Sequence, residues 1–215
     1  MQYSKIINTA QQYMESIHQD DYTGHDIAHV YRVTEIAKSI AKKEGIKDTL
    51  IIELASLLHD TVDEKLVDVD KQLDALKSFL ASLSLSDETQ EHILFIITHM
   101  SYRNGKNNHV ALSLDGQIVR DADRLDAIGA IGIARTFQFA GHFGEPMWTE
   151  QMPFNNINDD LIERLPSSAI KHFFEKLLKL QSLMHTETAQ KIAKERHDFM
   201  VMYLQQFFTE WNYHD

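Results

Sequence analysis

The sequence predicts an all-α fold in a single domain. Only 8 Gly and 3 Pro occur in 215 residues, and many short strands joined by turns would need more of both. Apolar residues recur at helical spacing, and no repeat or low-complexity run divides the chain. A chain of this length can bury one compact core. We therefore expect one helical domain over residues 1–215.

Eight helices follow from this periodicity and from signals at their ends. Ser86 and Asp87 suit a helix N-terminus, because a serine cap and early acidic residues satisfy and stabilise the first amide groups. Gly45 suits a helix end, since glycine is common just after the last turn. The predicted helices are 3–19, 26–44, 48–60, 68–83, 87–100, 115–140, 166–184 and 186–209.

Two segments are predicted to be loops. Residues 101–109 (SYRNGKNNH) are rich in turn-forming residues and include the cations Arg103 and Lys106. Residues 141–160 contain two of the three prolines and are longer than a simple connection needs. Long ordered loops are often functional, but a surface excursion with ordinary packing is an equally good interpretation.

Charge and composition exclude several functions. The net charge of −11 argues against a duplex nucleic-acid surface, which needs cations facing phosphates, but leaves room for a small nucleotide neutralised locally. The absence of cysteine excludes disulfides, thiolate–zinc sites and cysteine nucleophiles, so a metal would be held by imidazole and carboxylate. The sequence shows neither a signal-peptide pattern nor an apolar stretch that could cross a membrane. We expect a cytoplasmic protein without a membrane partner.

The first candidate metal ligand is His29. Val33, Ile36 and Ile40 lie on its face of the predicted helix, so the imidazole should point into the apolar side. A lone histidine in such a place is more often a core residue with one hydrogen bond than a ligand. His29 therefore needs support from other residues.

The second candidate is the His59–Asp60 dipeptide at the end of an apolar helix. Residues 49–58 (TLIIELASLL) are apolar nearly all round, as in a buried helix, and Asp63 and Glu64 follow the dipeptide. Carboxylates gathered at the end of a buried helix repel one another and are costly to desolvate. A bound cation would offset this cost, whereas the alternative is a helix that simply ends in solvent.

The third candidate is a charged segment within another apolar helix. Charged residues in a buried helix need partners, which arginine–aspartate pairs or a metal ion could provide. Periodicity cannot choose the ligand, because Asp121 and Asp123 each share a face with apolar residues. The charged residues are Arg120, Asp121, Asp123, Arg124 and Asp126.

In their order, these three candidates resemble the H…HD…D signature of the HD superfamily of metal-dependent phosphohydrolases. The local contexts GHDIAHVYRV, LLHDTVDEK, ITHMSYRNG and VRDADRLDAIGAIGIAR occur in the family's order over about residues 24–140. The whole chain is similar to the small, single-domain bacterial branch, which includes nucleotide phosphohydrolases and pyrophosphohydrolases. The resemblance implies one HD-type helical domain, with its core motifs at 24–140 and further helices at 166–209.

The same resemblance implies a set of ligands and a water-activating pair. The last ligand of the family usually follows alanine and precedes x-Leu, which selects Asp123 over Asp121. Asp63 and Glu64 match the acidic pair after the HD dipeptide, but some relatives have the reverse order, so either residue could orient the water or accept its proton. The implied metal ligands are His29, His59, Asp60 and Asp123.

Two imidazoles and two carboxylates favour a divalent transition metal, Mn²⁺ before Fe²⁺, Co²⁺ or Ni²⁺, and all of these before Mg²⁺. Such an ion lowers the pKa of bound water and polarises a phosphoryl group. Arg124 could instead form a structural pair with Asp121 or Asp126, and His99 could instead be a core residue or part of a second metal site. The candidates for binding the substrate phosphates are Arg32, Lys65, His99 and Arg124.

The expected reaction is cleavage of a (deoxy)nucleoside triphosphate to the monophosphate and pyrophosphate, since the resembled branch acts on nucleotides. One alternative is a phosphomonoesterase for nucleoside monophosphates. Another is a metal-stabilised regulatory module without turnover, and a third is a two-iron oxygenase, which would need His25 or His99 as an additional ligand. The aromatic residues of the last helix suit a core or a partner face equally, so a homo-oligomer stays open.

Overall fold

The described residues of this computed structural model, 2–19, 26–62, 69–102, 105–152 and 154–213, form helices joined by turns and loops and contain no β-strand. The all-α prediction is therefore confirmed. Short 3-10 helices occupy Phe154–Asn156 and Leu177–Leu183. The α-helices are α1 (Gln2–His18), α2 (Ile27–Lys43), α3 (Leu50–Leu58), α4 (Val69–Ser82), α5 (Asp87–Met100), α6 (Leu114–Asp126), α7 (Gly129–His142), α8 (Asp159–Arg164), α9 (Ala169–Glu175) and α10 (Glu187–Trp211).

The chain divides into two compact units, residues 1–123 and 124–215. In the first unit α3 is central and contacts α1, α2 and α5, while α4 packs on α5. In the second unit α10 packs on α7 and on the 3-10 helix Leu177–Leu183. The assignment of all 215 residues to one domain stays a prediction.

Helix α3 is buried along most of its length, as its apolar sequence predicts. Leu54, Leu57 and other side chains of α3 have no exposed surface. Its one acidic residue, Glu53, is also buried and accepts hydrogen bonds from the hydroxyls of Tyr3, at 2.6 Å, and Thr49, at 2.7 Å. The carboxylate is thus satisfied, and its bond to Tyr3 ties the start of α1 to α3.

The segment predicted as a long loop, 141–160, packs into the second unit. Trp148 is buried and meets Phe208 of α10 edge to face, with the ring centroids 5.7 Å apart. The indole nitrogen of Trp211 donates to the Glu150 carbonyl at 2.9 Å. These contacts favour ordinary packing over a binding loop, and they show that aromatic residues of the last helix contribute to the core of this unit.

Two helix predictions require correction. The helix predicted at 115–140 is two helices, α6 and α7, because Gly129 adopts φ +78° and Ile128 is extended. A Cβ at Gly132 would lie 2.2 Å from the Ala127 carbonyl oxygen, so α7 packs directly against the end of α6. The helix predicted at 166–184 is α9 followed by a 3-10 helix. The unpredicted helix α8 begins at the end of the predicted loop and extends beyond it to Arg164.

The six other predicted helices agree with the structure to within two residues at each end. The cap predicted at Ser86 is present, with its hydroxyl accepting from the Thr89 amide at 3.2 Å. Within the described ranges, none of the helices is both long and apolar enough to cross a membrane.

Candidate metal centre

His29 lies in the first turn of α2, and the helix cap holds its backbone. The carboxylate of Asp26 caps α2 and accepts a hydrogen bond from the His29 amide at 2.8 Å. The His29 side chain is 1% exposed. An imidazole buried at a capped helix start is constrained before any ligand arrives.

His59 follows the last residue of α3, and its ring is oriented by the backbone of the preceding turn. Its Nδ1 lies 2.7 Å from the Ser56 carbonyl oxygen. Because a carbonyl can only accept, Nδ1 is the donor, and the neutral ring then carries its lone pair on Nε2. Histidines that ligate metals are oriented in this way by partners on the other nitrogen.

Four side chains from α2, the end of α3 and α6 converge at these imidazoles. His29 Nε2 lies 3.2 Å from His59 Nε2 and 3.3 Å from an Asp60 carboxylate oxygen. The other Asp60 oxygen lies 3.4 Å from His59 Nε2, and Asp123 Oδ1 lies 3.7 Å from both Nε2 atoms. Asp60 and Asp123 therefore each place carboxylate oxygens beside both imidazoles, and the ligand atoms of His29, His59 and Asp123 lie within 4.8 Å of one another.

This donor set fits a divalent cation. The lone pair of His59 Nε2 faces His29 Nε2, and two carboxylates stand beside them, so these electron-rich atoms need either shared protons or a cation among them. The side chains of Asp60 and Asp123 are 22% and 30% exposed, so the cluster is reachable from solvent. Catalytic metal sites, unlike closed structural ones, need such access.

The structure separates the aspartates that periodicity could not. Asp123 belongs with His29 and His59 to a group whose candidate ligand atoms lie within 4.8 Å of one another. Asp121 is fully buried and outside that group, and Asp126 is buried in an ion pair with Arg135 at 2.9 Å.

The predicted substrate-binding residues have varied surroundings. Arg32 is half-buried on α2. His99 is half-buried at the end of α5, where its ring stacks on Phe95 with centroids 4.3 Å apart and Nδ1 lies 2.9 Å from the Phe95 carbonyl oxygen. Arg124 is buried and donates to the Leu183 carbonyl, a structural bond. The predicted residues Asp63, Glu64, Lys65 and His25 lie outside the described residues.

Three contacts that support the site were not predicted from the sequence. The N-cap role of Asp26 had a signal, because aspartate just before an apolar run is a common helix start. No sequence signal marks the contact of the Ser56 carbonyl with His59, since any residue supplies a backbone oxygen. Arg120 is fully buried and donates to the backbone carbonyls of His99, at 2.8 Å, and of Asn107 and Val110, each at 3.3 Å.

Comparison with known proteins decides the family. The HD domain model matches residues 26–128, which include all four converging side chains. The crystal structure of an HD-superfamily hydrolase from Bacillus thuringiensis is 35% identical, with a TM-score of 0.75, and the match covers 99% of each chain. The chain belongs to the HD superfamily. The fold of an HD-superfamily hydrolase indicates a metal-dependent hydrolase.

Other relatives are similar over nearly the full length. The protein YpgQ of Bacillus subtilis is 40% identical over 196 residues, which are 90% of this chain and 88% of YpgQ. The crystal structure of YpgQ in complex with ADP matches at 37% identity with a TM-score of 0.76, over 98% of this chain and 97% of that one. A structure from Lactobacillus plantarum matches at 36% identity and a TM-score of 0.82, over 96% and 97% of the chains.

Proposed function

We propose that the protein is a metal-dependent phosphohydrolase that cleaves (deoxy)nucleoside triphosphates to the monophosphate and pyrophosphate. The observation that carries the proposal is that two carboxylates lie beside two imidazoles. The Nε2 atoms of His29 and His59 are 3.2 Å apart, and Asp60 and Asp123 each place carboxylate oxygens 3.3–3.7 Å from them. The two imidazoles are buried, whereas the two carboxylates are partly exposed to solvent. A metal site with such access suits hydrolysis better than a structural role.

A nucleotide is the proposed substrate class. The YpgQ structure holds ADP, and YpgQ is similar to this chain over nearly its full length. The net charge of −11 opposes binding of a polyphosphate, so local positive charge must offset it. We propose that the bound ion, Arg32, Lys65 and His99 provide this charge.

His29, His59, Asp60 and Asp123 would hold a divalent transition metal ion, since imidazole with carboxylate suits such metals better than Mg²⁺, and we propose Mn²⁺ as the first to test. When bound, such an ion lowers the pKa of a coordinated water and polarises the phosphoryl group. The bond from His59 Nδ1 to the Ser56 carbonyl leaves Nε2 as the ring nitrogen that would bind the ion.

The chain's own acids complete the proposed reaction. The water oxygen forms a bond to the α-phosphorus. The bond from that phosphorus to the α–β bridging oxygen breaks, and pyrophosphate leaves with the electron pair. Asp63 or Glu64 accepts the water proton or orients the water for attack. His99 would contact phosphate through Nε2 in its protonated form, because its Nδ1–H already donates to the Phe95 carbonyl and the phosphate oxygens can only accept.

The test joins metal analysis to a nucleotide panel. Wild-type protein and Asp60→Ala are purified, their metal content is measured, and hydrolysis with Mn²⁺ is assayed. Asp198→Ala is the matched control, because Asp198 also follows a histidine but pairs with Lys194 on the surface of α10. We expect Asp60→Ala to lose metal and activity and the control to keep both.

The products separate the candidate functions. Pyrophosphate supports the proposal, orthophosphate from a monophosphate indicates the phosphomonoesterase, and metal binding without turnover of any nucleotide indicates the regulatory module. Glu64→Gln should keep the metal and lose activity, with Asp63→Asn as its partner variant. If both variants retained full activity, the proposed acid would be wrong, and loss of metal from Glu64→Gln would make Glu64 a ligand.

A further inference from the structure

The guanidinium of Arg120 holds the backbone between α5 and α6. Its Nη2 donates to the carbonyls of His99, at 2.8 Å, and Asn107, at 3.3 Å, and its Nη1 donates to the Val110 carbonyl at 3.3 Å. Arg120 has no exposed surface. A buried charge is costly unless it is well hydrogen-bonded, and these three carbonyls supply bonds from separate points along the chain.

The backbone that Arg120 holds is a series of turns rather than regular structure. The Gly105 amide donates to the Tyr102 carbonyl at 2.8 Å, and the Val110 amide donates to the Asn107 carbonyl at 3.1 Å. The buried side chain of Asn107 donates to the Ser101 carbonyl at 3.0 Å. These local bonds close single turns, whereas Arg120 connects the segment to α6.

Arg120 lies one helical turn before Asp123 on α6. The same guanidinium that binds the His99 carbonyl therefore belongs to the helix that carries a candidate metal ligand. Any movement of His99 relative to α6 would break the shortest of the three bonds. An arginine suits this task better than a lysine, since its planar fork reaches acceptors in several fixed directions at once.

We propose that Arg120 is a positioning residue: it fixes His99 and the turn segment at residues 105–110 to α6, and so sets nucleotide affinity without contacting the nucleotide. This rests on the proposed nucleotide function and on the phosphate-binding role of His99. Removing Arg120's hydrogen bonds should then loosen the segment and weaken nucleotide binding, while the metal ligands stay in place.

The experiment compares Arg120→Lys with the wild type and with Arg135→Lys. Arg135→Lys is the control, because it makes the same substitution at an arginine that pairs with Asp126 in the second unit. Limited trypsin digestion is followed at the Lys106–Asn107 bond by mass spectrometry, since Lys106 is exposed and Asn107 is held by Arg120. We expect cleavage about tenfold faster in Arg120→Lys alone, because proteolysis follows the population of the locally open state.

A binding measurement then tests whether Arg120 acts through His99. Manganese content and ADP affinity are measured for Arg120→Lys, His99→Ala and the double variant. We expect unchanged manganese content and affinity about tenfold weaker in Arg120→Lys, with the double variant no weaker than His99→Ala. Additive losses in the double variant would overturn the positioning role.

Two further outcomes are decisive. Cleavage at Lys106 as slow in Arg120→Lys as in the wild type would overturn the proposal, and Arg120→Gln repeats this test if the lysine variant does not fold. Wild-type protein that binds manganese but no ADP would overturn the nucleotide function and the effect of Arg120 on affinity. The trypsin result would still decide whether Arg120 holds the segment.

Discussion

The Nε2 atoms of His29 and His59 face each other at 3.2 Å, although His29 lies in the first turn of α2 and His59 follows the last residue of α3. Backbone contacts orient both residues: Asp26 accepts from the His29 amide, and His59 Nδ1 donates to the Ser56 carbonyl. The cluster is thus assembled by helix ends before a metal binds. Preorganisation of this kind lowers the cost of ordering the ligands when the ion arrives.

Manganese should raise the melting temperature of the protein. An ion that binds only the native state at about 100 times its Kd adds about 2.7 kcal/mol of stability, which corresponds to about 5–10 °C for a chain of this size. Differential scanning fluorimetry with EDTA and then with excess Mn²⁺ measures the shift. His59→Gln should abolish it, and His92→Gln, which replaces a histidine that bonds to Ser113, should keep it. An equal shift in His59→Gln would argue against this site.

Asp26→Ala should weaken metal binding as well as stability. Loss of the cap of α2 should cost about 1 kcal/mol of unfolding free energy, because the His29 amide loses its acceptor. Metal affinity should fall about tenfold, the lower end of the range for outer partners of metal ligands. Urea unfolding of the apoprotein and manganese titration measure the two effects.

Ser86→Ala is the control for Asp26→Ala. It removes the cap of α5, where the Ser86 hydroxyl accepts from the Thr89 amide at 3.2 Å. A similar loss of stability with unchanged manganese affinity is expected. If both variants weakened manganese binding equally, the effect would reflect general destabilisation rather than the placement of His29.

Sequence patterns predicted the helices whose apolar spacing begins and ends with clear signals. The apolar face of His29 and the buried helix before His59 were visible in the same way, and both imidazoles are buried in the structure. The choice of Asp123 came from family resemblance, because Asp121 has equally apolar neighbours along its helix. Only the three-dimensional arrangement shows that Asp121 is buried elsewhere.

The break between α6 and α7 could not be seen in the periodicity. The apolar pattern continues through Ile128, and glycine inside a helical pattern is tolerated often enough to leave the choice open. What decides the break is the left-handed backbone of Gly129 and the close approach of Gly132 to the Ala127 carbonyl. Both depend on how the second helix packs against the end of the first.

Gly132→Ala should therefore destabilise the second unit. Its Cβ would lie 2.2 Å from the Ala127 carbonyl oxygen, and a backbone atom cannot turn aside as a side chain can. We expect a loss of about 2 kcal/mol or more, and urea unfolding measures it. Gly141→Ala is the control on the same helix, because its Cβ would meet nothing within 4 Å, and it should stabilise by about 0.5–1 kcal/mol. Equal effects of the two substitutions would contradict this account of the helix break.

Stability should fall between pH 10 and 12 in part through Tyr3. Burial and the hydrogen bond to Glu53 raise the pKa of Tyr3 from 10.0 to about 12, so the native state holds the phenolic proton more tightly than the unfolded chain does. This contribution is complete below pH 10 and is lost as pH rises through 12. We expect the free energy of unfolding, measured with urea, to fall less in Tyr3→Phe than in the wild type when the pH is raised from about 9.5 to about 11.5. Tyr213→Phe, at a residue 87% exposed, should keep the full loss, and an unchanged loss in Tyr3→Phe would show that the bond to Glu53 does not persist in solution.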